Sequence, residues 1–208
     1  TLFSLWVLCF FTGMIFHFRA VSSISTGLLL ITGLACYKKK AVSLLFRSSL
    51  SPFLISCLLY FLYTVINLLL KDNTTVMRSQ LEMKSALVLV PVAVSFTGFV
   101  GSKQLKRLMQ FFVLLLLAAC LYCLLIDVNT WIRTGQETIF FYHDLVSPLN
   151  QHAVFFSFLL FFSLLYILEY GTGFNFLPGK KLDGILTVFF SLILVLLASK
   201  LILFCWVV

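Results

Sequence analysis

The residues best suited to chemistry gather in one stretch, D-V-N-T-W-I-R-T-G-Q-E-T-I-F-F-Y-H-D-L-V-S-P-L-N-Q. It runs from Asp127 to Gln151 and leads into His152. Arg133, His143, Asp144, Asn150 and His152 stand there among Trp131, Phe140, Phe141 and Tyr142. A His beside an acid can act as an oriented base, but adjacent loop residues need not face each other, so His143-Asp144 is a weak signal on its own. The plainer reading is an interfacial loop, with aromatic rings at headgroup level and polar tips in water.

Lys200 is the sharpest single residue. It follows Ser199 in S-L-I-L-V-L-L-A-S-K-L-I-L-F-C-W-V-V, about 22 Å along a helix counted from Ile185. A cation at that depth must snorkel, pair or line a wet cavity. Snorkelling leaves Lys200 in the headgroups; a cavity would let it hold an anion such as a lipid diphosphate, as a point charge without the fork of Arg. Arg78 and Lys84 lie in K-D-N-T-T-V-M-R-S-Q-L-E-M-K, whose V-M-R-S-Q-L-E-M-K part suits a short interfacial helix. Their charges read first as solvated, with substrate binding the lesser reading. Asn73-Thr74-Thr75 matches a glycosylation sequon, a pattern common by chance. Cys120 and Cys123 form a CxxC on an apolar run with no second Cys/His pair nearby, so they and Cys9, Cys36, Cys57 and Cys205 read as small packing residues.

These groups must be positioned by elements that are overwhelmingly apolar. The chain has 208 residues, 62% hydrophobic and 11% charged, with 24 Phe. Mean hydropathy is +1.11. A soluble domain of this size has too little interior for that much apolar surface; a bilayer removes the limit. The sequence therefore predicts an all-α, polytopic transmembrane helical bundle. Seven spans are expected: Leu2–Phe18, Val21–Tyr37, Pro52–Leu70, Ser85–Val100, Leu108–Ile126, His152–Leu168 and Ile185–Val208. The first two, joined at Arg19 and Ala20, suit a tight hairpin, with His17 at the outer end. Pro91 falls mid-span in the fourth. No internal repeat, Gly-rich phosphate loop or low-complexity tail is present.

Orientation follows from Lys and Arg. With the N-terminus cytoplasmic, the inner loops carry Lys38, Lys39, Lys40, Arg47, Lys103, Lys106, Arg107, Lys180 and Lys181. The outer loops carry Arg19, Lys71, Arg78, Lys84 and Arg133. Asp72, Glu82, Asp127, Glu137 and Asp144 fall outside, whereas Glu169 and Asp183 fall inside. The formal charge of +8 is thus an orientation signal rather than a nucleic-acid footprint. Residue 1 is not Met, and Val208 falls inside an apolar run. One transmembrane domain over 1–208, truncated at its C-terminus, is the expectation.

The segment F-Y-H-D-L-V-S-P-L-N-Q-H-A-V-F-F-S-F at 141–158, a short inner loop, and a helix ending L-L-A-S-K-L-I-L resemble the N-terminal portion of the O-antigen ligase and polymerase family of bacterial envelopes. The likeness is specific over about residues 130–205. It implies an inner-membrane, multi-pass glycosyltransferase. Such an enzyme moves a glycan from undecaprenyl diphosphate to a lipid A–core or glycan acceptor on the periplasmic face, using no metal or nucleotide cofactor. It implies outer-face contacts from Lys200, His152, His143, Arg133 and Arg78. Many members carry S-R where this chain has Ser199-Lys200, so the charge is kept and the fork is not. The family's catalytic His belongs to a large periplasmic loop expected beyond Val208, and the present chain alone is expected to be inactive. The alternative is a secondary transporter or channel subunit. That class favours repeats and broken helices, of which only Pro91 is a candidate. A non-enzymatic scaffold has no positive sign.

Overall fold

The computed structural model describes residues 2–35, 51–69, 88–90, 92–93, 102–172 and 179–197. Among them there is no strand, and 90% of these described residues are helical. The helices are α1 (Leu2–Ile15), α2 (Arg19–Ala35), α3 (Ser51–Leu69), α4 (Ser102–Thr134), α5 (Ala153–Tyr170) and α6 (Gly179–Leu196). Two short 3₁₀ turns, Glu137–Phe140 and Asp144–Leu149, lie between α4 and α5. Lys103–Thr134 and Ala153–Tyr170 are long and apolar enough to cross a membrane; Leu2–Ile15, Arg19–Ala35 and Leu58–Asn67 are shorter apolar helices. Arg78, Pro91, Lys200, the sequon and most of the expected fourth span lie outside the described residues.

The expected span Leu108–Ile126 is one part of the longer α4. Residues 127–134, expected in the outer loop, continue the helix by about two turns. The reason is local: no Gly or Pro interrupts the chain from Ser102 to Thr134. Gly135, at φ +70°, then ends the helix by donating its N–H to the Trp131 carbonyl at 2.8 Å. A left-handed glycine at this place satisfies carbonyls that the helix leaves open.

The chain divides into two compact units, residues 1–10 with 19–105 and residues 11–18 with 106–208. In the first, Phe3, Leu29 and Ala93 form a small core with Trp6, Val7, Phe10, Leu30 and Val90 against it. Gly33 of α2 lies so close to the backbone at Ala93 that a Cβ there would meet the Ala93 carbonyl oxygen at 2.8 Å. Small residues at such points let helix backbones approach. The hydroxyls of α2 and α3 return to their own helices: Thr26 donates to the Ser22 carbonyl and Thr64 to that of Tyr60. This keeps polar atoms satisfied on otherwise apolar helices.

In the second unit, α5 and α6 pack along each other. The core draws Phe112, Val113, Leu116, Cys120 and Cys123 from α4, Phe156, Leu160 and Leu164 from α5, and Phe190, Ile193 and Leu194 from α6. Spacings of three and four put each set on one helix face. The opposite faces are apolar too, with Leu121, Leu125, Phe158, Phe162, Val188 and Leu192 exposed. A soluble helix would turn polar groups outward; helices apolar all round are suited to lipid.

Candidate functional site

The site is built at the C-terminal end of α4 and the N-terminal start of α5. Beyond Gly135 the chain turns through Glu137–Phe140, then through Phe141, Tyr142 and His143, and enters the second 3₁₀ turn. That turn is anchored because Leu145, Val146 and Leu149 insert into the core. Tyr142 sits at φ +56° and donates its backbone N–H to the Leu196 carbonyl at 3.1 Å, which ties the turn to the end of α6. Asn150, at φ +52°, donates its N–H to the Ser147 carbonyl at 2.9 Å and reverses the chain. Asn tolerates this left-handed conformation better than most residues, so the reversal is local chemistry.

The reversal brings the rings of His143 and His152 together, centroids 4.4 Å apart and edge to face. Tyr142 lies edge to face on His143 at 4.1 Å. His152 is the N-cap of α5, its Nδ1 accepting from the Val154 N–H at 3.3 Å. The Ala153 N–H donates to His143 Nδ1 at 3.4 Å. Both bonds are long, but both use N–H groups of the first turn of α5, which have no partner within the helix. A ring nitrogen that accepts carries no proton, so in the neutral ring the proton is on Nε2. The pair therefore offers two Nε2–H donors at the positive end of a helix dipole. Both histidines are exposed.

Gln151 fastens the same loop from the other side. Its Nε2 donates to the Met14 carbonyl at 2.7 Å and to that of Ile15 at 3.3 Å. These are carbonyls of the last turn of α1, open for want of intrahelical donors. Trp131 and Phe140 stand edge to face at the rim, 6.3 Å apart. Trp131, Phe141 and Tyr142 are all exposed there.

Of the residues singled out in the sequence, the fold unites His143 and His152. Arg133 stands exposed in the last turn of α4, and its side chain makes no hydrogen bond, ion pair or ring contact among the described residues. Asp144 is exposed at the start of the second 3₁₀ turn. Lys200 and Arg78 lie outside the described residues. Sequence reasoning missed Gln151 as a fastener and Asp127 as a buried acid. For Asp127 a signal existed: Val113, Leu116, Cys120, Cys123 and Asp127 follow one another at spacings of three and four.

At the other end of α5 a second polar set serves the fold. Asp183 Oδ1 accepts from the Thr172 N–H at 2.8 Å and from the Thr172 hydroxyl. The Thr172 carbonyl accepts from Gln110 Nε2 at 2.6 Å. Three segments, α4, α6 and the chain after α5, are thus tied through one buried threonine. An open groove of about 500 Å³ beside it is lined by Ile167, Leu168, Gly171, Asp183, Gly184, Thr187 and Val188. Among the described residues no group of three or more His, Cys, Asp or Glu could hold a metal ion.

Comparison with protein-family models, with curated proteins and with solved structures returns no match.

Proposed function

We propose that this chain is part of a multi-pass bacterial inner-membrane protein that holds the diphosphate of a polyprenyl-linked glycan at its outer face. On this reading it acts as a glycosyltransferase resembling the O-antigen ligases and polymerases. The observation that carries the reading is the His143–His152 pair at the start of α5. Two Nε2–H donors, directed by backbone bonds to their Nδ1 atoms, suit phosphate oxygens. The helix dipole behind them favours negative charge. The exposed aromatic rim of Trp131, Phe141 and Tyr142 suits a headgroup layer.

On this reading α4 is about 50 Å long against a hydrocarbon core of about 30 Å, so its last turns rise beside the histidines at the interface. In transfer, an acceptor hydroxyl forms a bond to the anomeric carbon as the bond to the diphosphate breaks. The leaving diphosphate gathers negative charge, which the Nε2–H donors stabilise. Lys200 and Arg78 supply further positive charge. The acceptor hydroxyl gives up its proton to water.

The test uses the full-length protein in lipid nanodiscs and undecaprenyl diphosphate as the probe, read by native mass spectrometry. Expected is a complex that His143→Ala and His152→Ala weaken. Equal binding by wild type and both variants overturns the role of the pair. Absence of binding by wild type overturns the glycan-carrier reading and moves weight to transport.

A further inference from the structure

Asp127 is unlike every other acid among the described residues. It is only 2% exposed, and its Oδ2 is enclosed with no hydrogen-bond partner among those residues. It lies one turn beyond Cys123 on the buried face of α4. That face is otherwise apolar or thiol, through Val113, Leu116 and Cys120. An ionised carboxylate in such a place, without a cation or donors, is costly.

Two kinds of ligand remove that cost. A metal ion needs several oxygen, nitrogen or sulfur ligands in place of its water. The described residues assemble no such group. A proton needs only the one carboxyl. The titratable groups beside Asp127 among the described residues are Cys123, one turn back on its own helix, and Asp144 in the second 3₁₀ turn. Neither supplies positive charge that could hold an ionised acid.

We propose that Asp127 is a proton-binding site, a buried carboxyl that takes a proton from hydronium, leaves water behind, and holds the proton as a neutral acid inside the helix bundle. The proposal does not rest on the glycan reading. It places an exchangeable charge about two turns before the end of α4.

Dicyclohexylcarbodiimide tests it. This apolar reagent adds the O–H of a protonated carboxyl across its C=N bond, and the adduct rearranges to a stable N-acylurea with nothing lost. The full-length wild type in nanodiscs is treated and mapped by peptide mass spectrometry. Expected is an adduct on Asp127 and none on the exposed Asp144, with loss of the adduct in Asp127→Asn. A water-soluble carbodiimide with an added amine should reverse the preference and mark Asp144. An unmodified Asp127 in a sample whose Asp144 reacts with the soluble reagent overturns the proposal. So does equal apolar-reagent labelling of both acids. The wild-type map decides the matter even if the variant fails to fold.

Discussion

His152 carries two tasks that substitution can separate. Its Nδ1 caps α5, and its exposed ring keeps Nε2–H as a donor. His152→Asn keeps a side-chain oxygen able to accept from the Val154 N–H, so the cap should survive. His152→Ala removes it, at about 0.5–2 kcal/mol. Both remove the imidazole donor. The expected result is a thermal midpoint close to wild type for Asn and lowered for Ala, with binding of undecaprenyl diphosphate reduced in both. Tryptophan fluorescence on heating, beside native mass spectrometry, reads the two properties. Asp127 makes a complementary case. Asp127→Asn exchanges an unpartnered acid for a neutral amide of similar shape, so unfolding should be unchanged or shifted upward, whereas a structural ion pair would give a clear loss.

At the scale of elements, the α5–α6 connection depends on Gly171. It sits at φ +66°, and an added Cβ would meet Asp183 Oδ2 at 2.9 Å. Gly171→Ala should cost about 1–3 kcal/mol, from strain and from pushing Asp183 off Thr172. Asp183→Ala strands the buried Thr172 N–H and should cost about 1–3 kcal/mol by another route. If the two act through one contact, the double variant should lose less than the sum. In the other unit, Gly33→Leu must displace helical backbone at Ala93, because the blocking atom is a carbonyl oxygen rather than a flexible tip. A sharp loss of folded protein in detergent is expected, with Gly27→Ala as the tolerated control since nothing lies near its Cβ position.

For the whole molecule the decisive property is which end of α4 faces outward. On the proposed orientation Lys103 and Lys106 lie inside and the His143 turn outside. In a background with native cysteines replaced, a cysteine at Glu137 should react with an impermeant maleimide in spheroplasts. One at Lys103 should react only after permeabilisation. The opposite pattern would invert the orientation and remove the periplasmic site. Glu137 and Lys103 are both exposed, so reactivity reports sidedness rather than burial.

The sequence by itself determined the helical class and the apolar all-round character of α4 and α5, because both follow from composition and the absence of helix breakers over long runs. It also marked the stretch that holds both histidines, since polar residues between apolar helices stand out in one dimension. Only tertiary structure decided that His143 and His152 touch while Arg133 stays apart. That choice depends on the left-handed turns at Tyr142 and Asn150 and on the three apolar side chains that plug the second 3₁₀ turn. The spacing from Val113 to Asp127 marked one helix face in the sequence, and tertiary structure covered that face, making Asp127 a buried acid instead of a loop charge. The end of a helix is set by where a cap becomes available, here Gly135, and burial is set by which neighbours cover the face that the helix then presents.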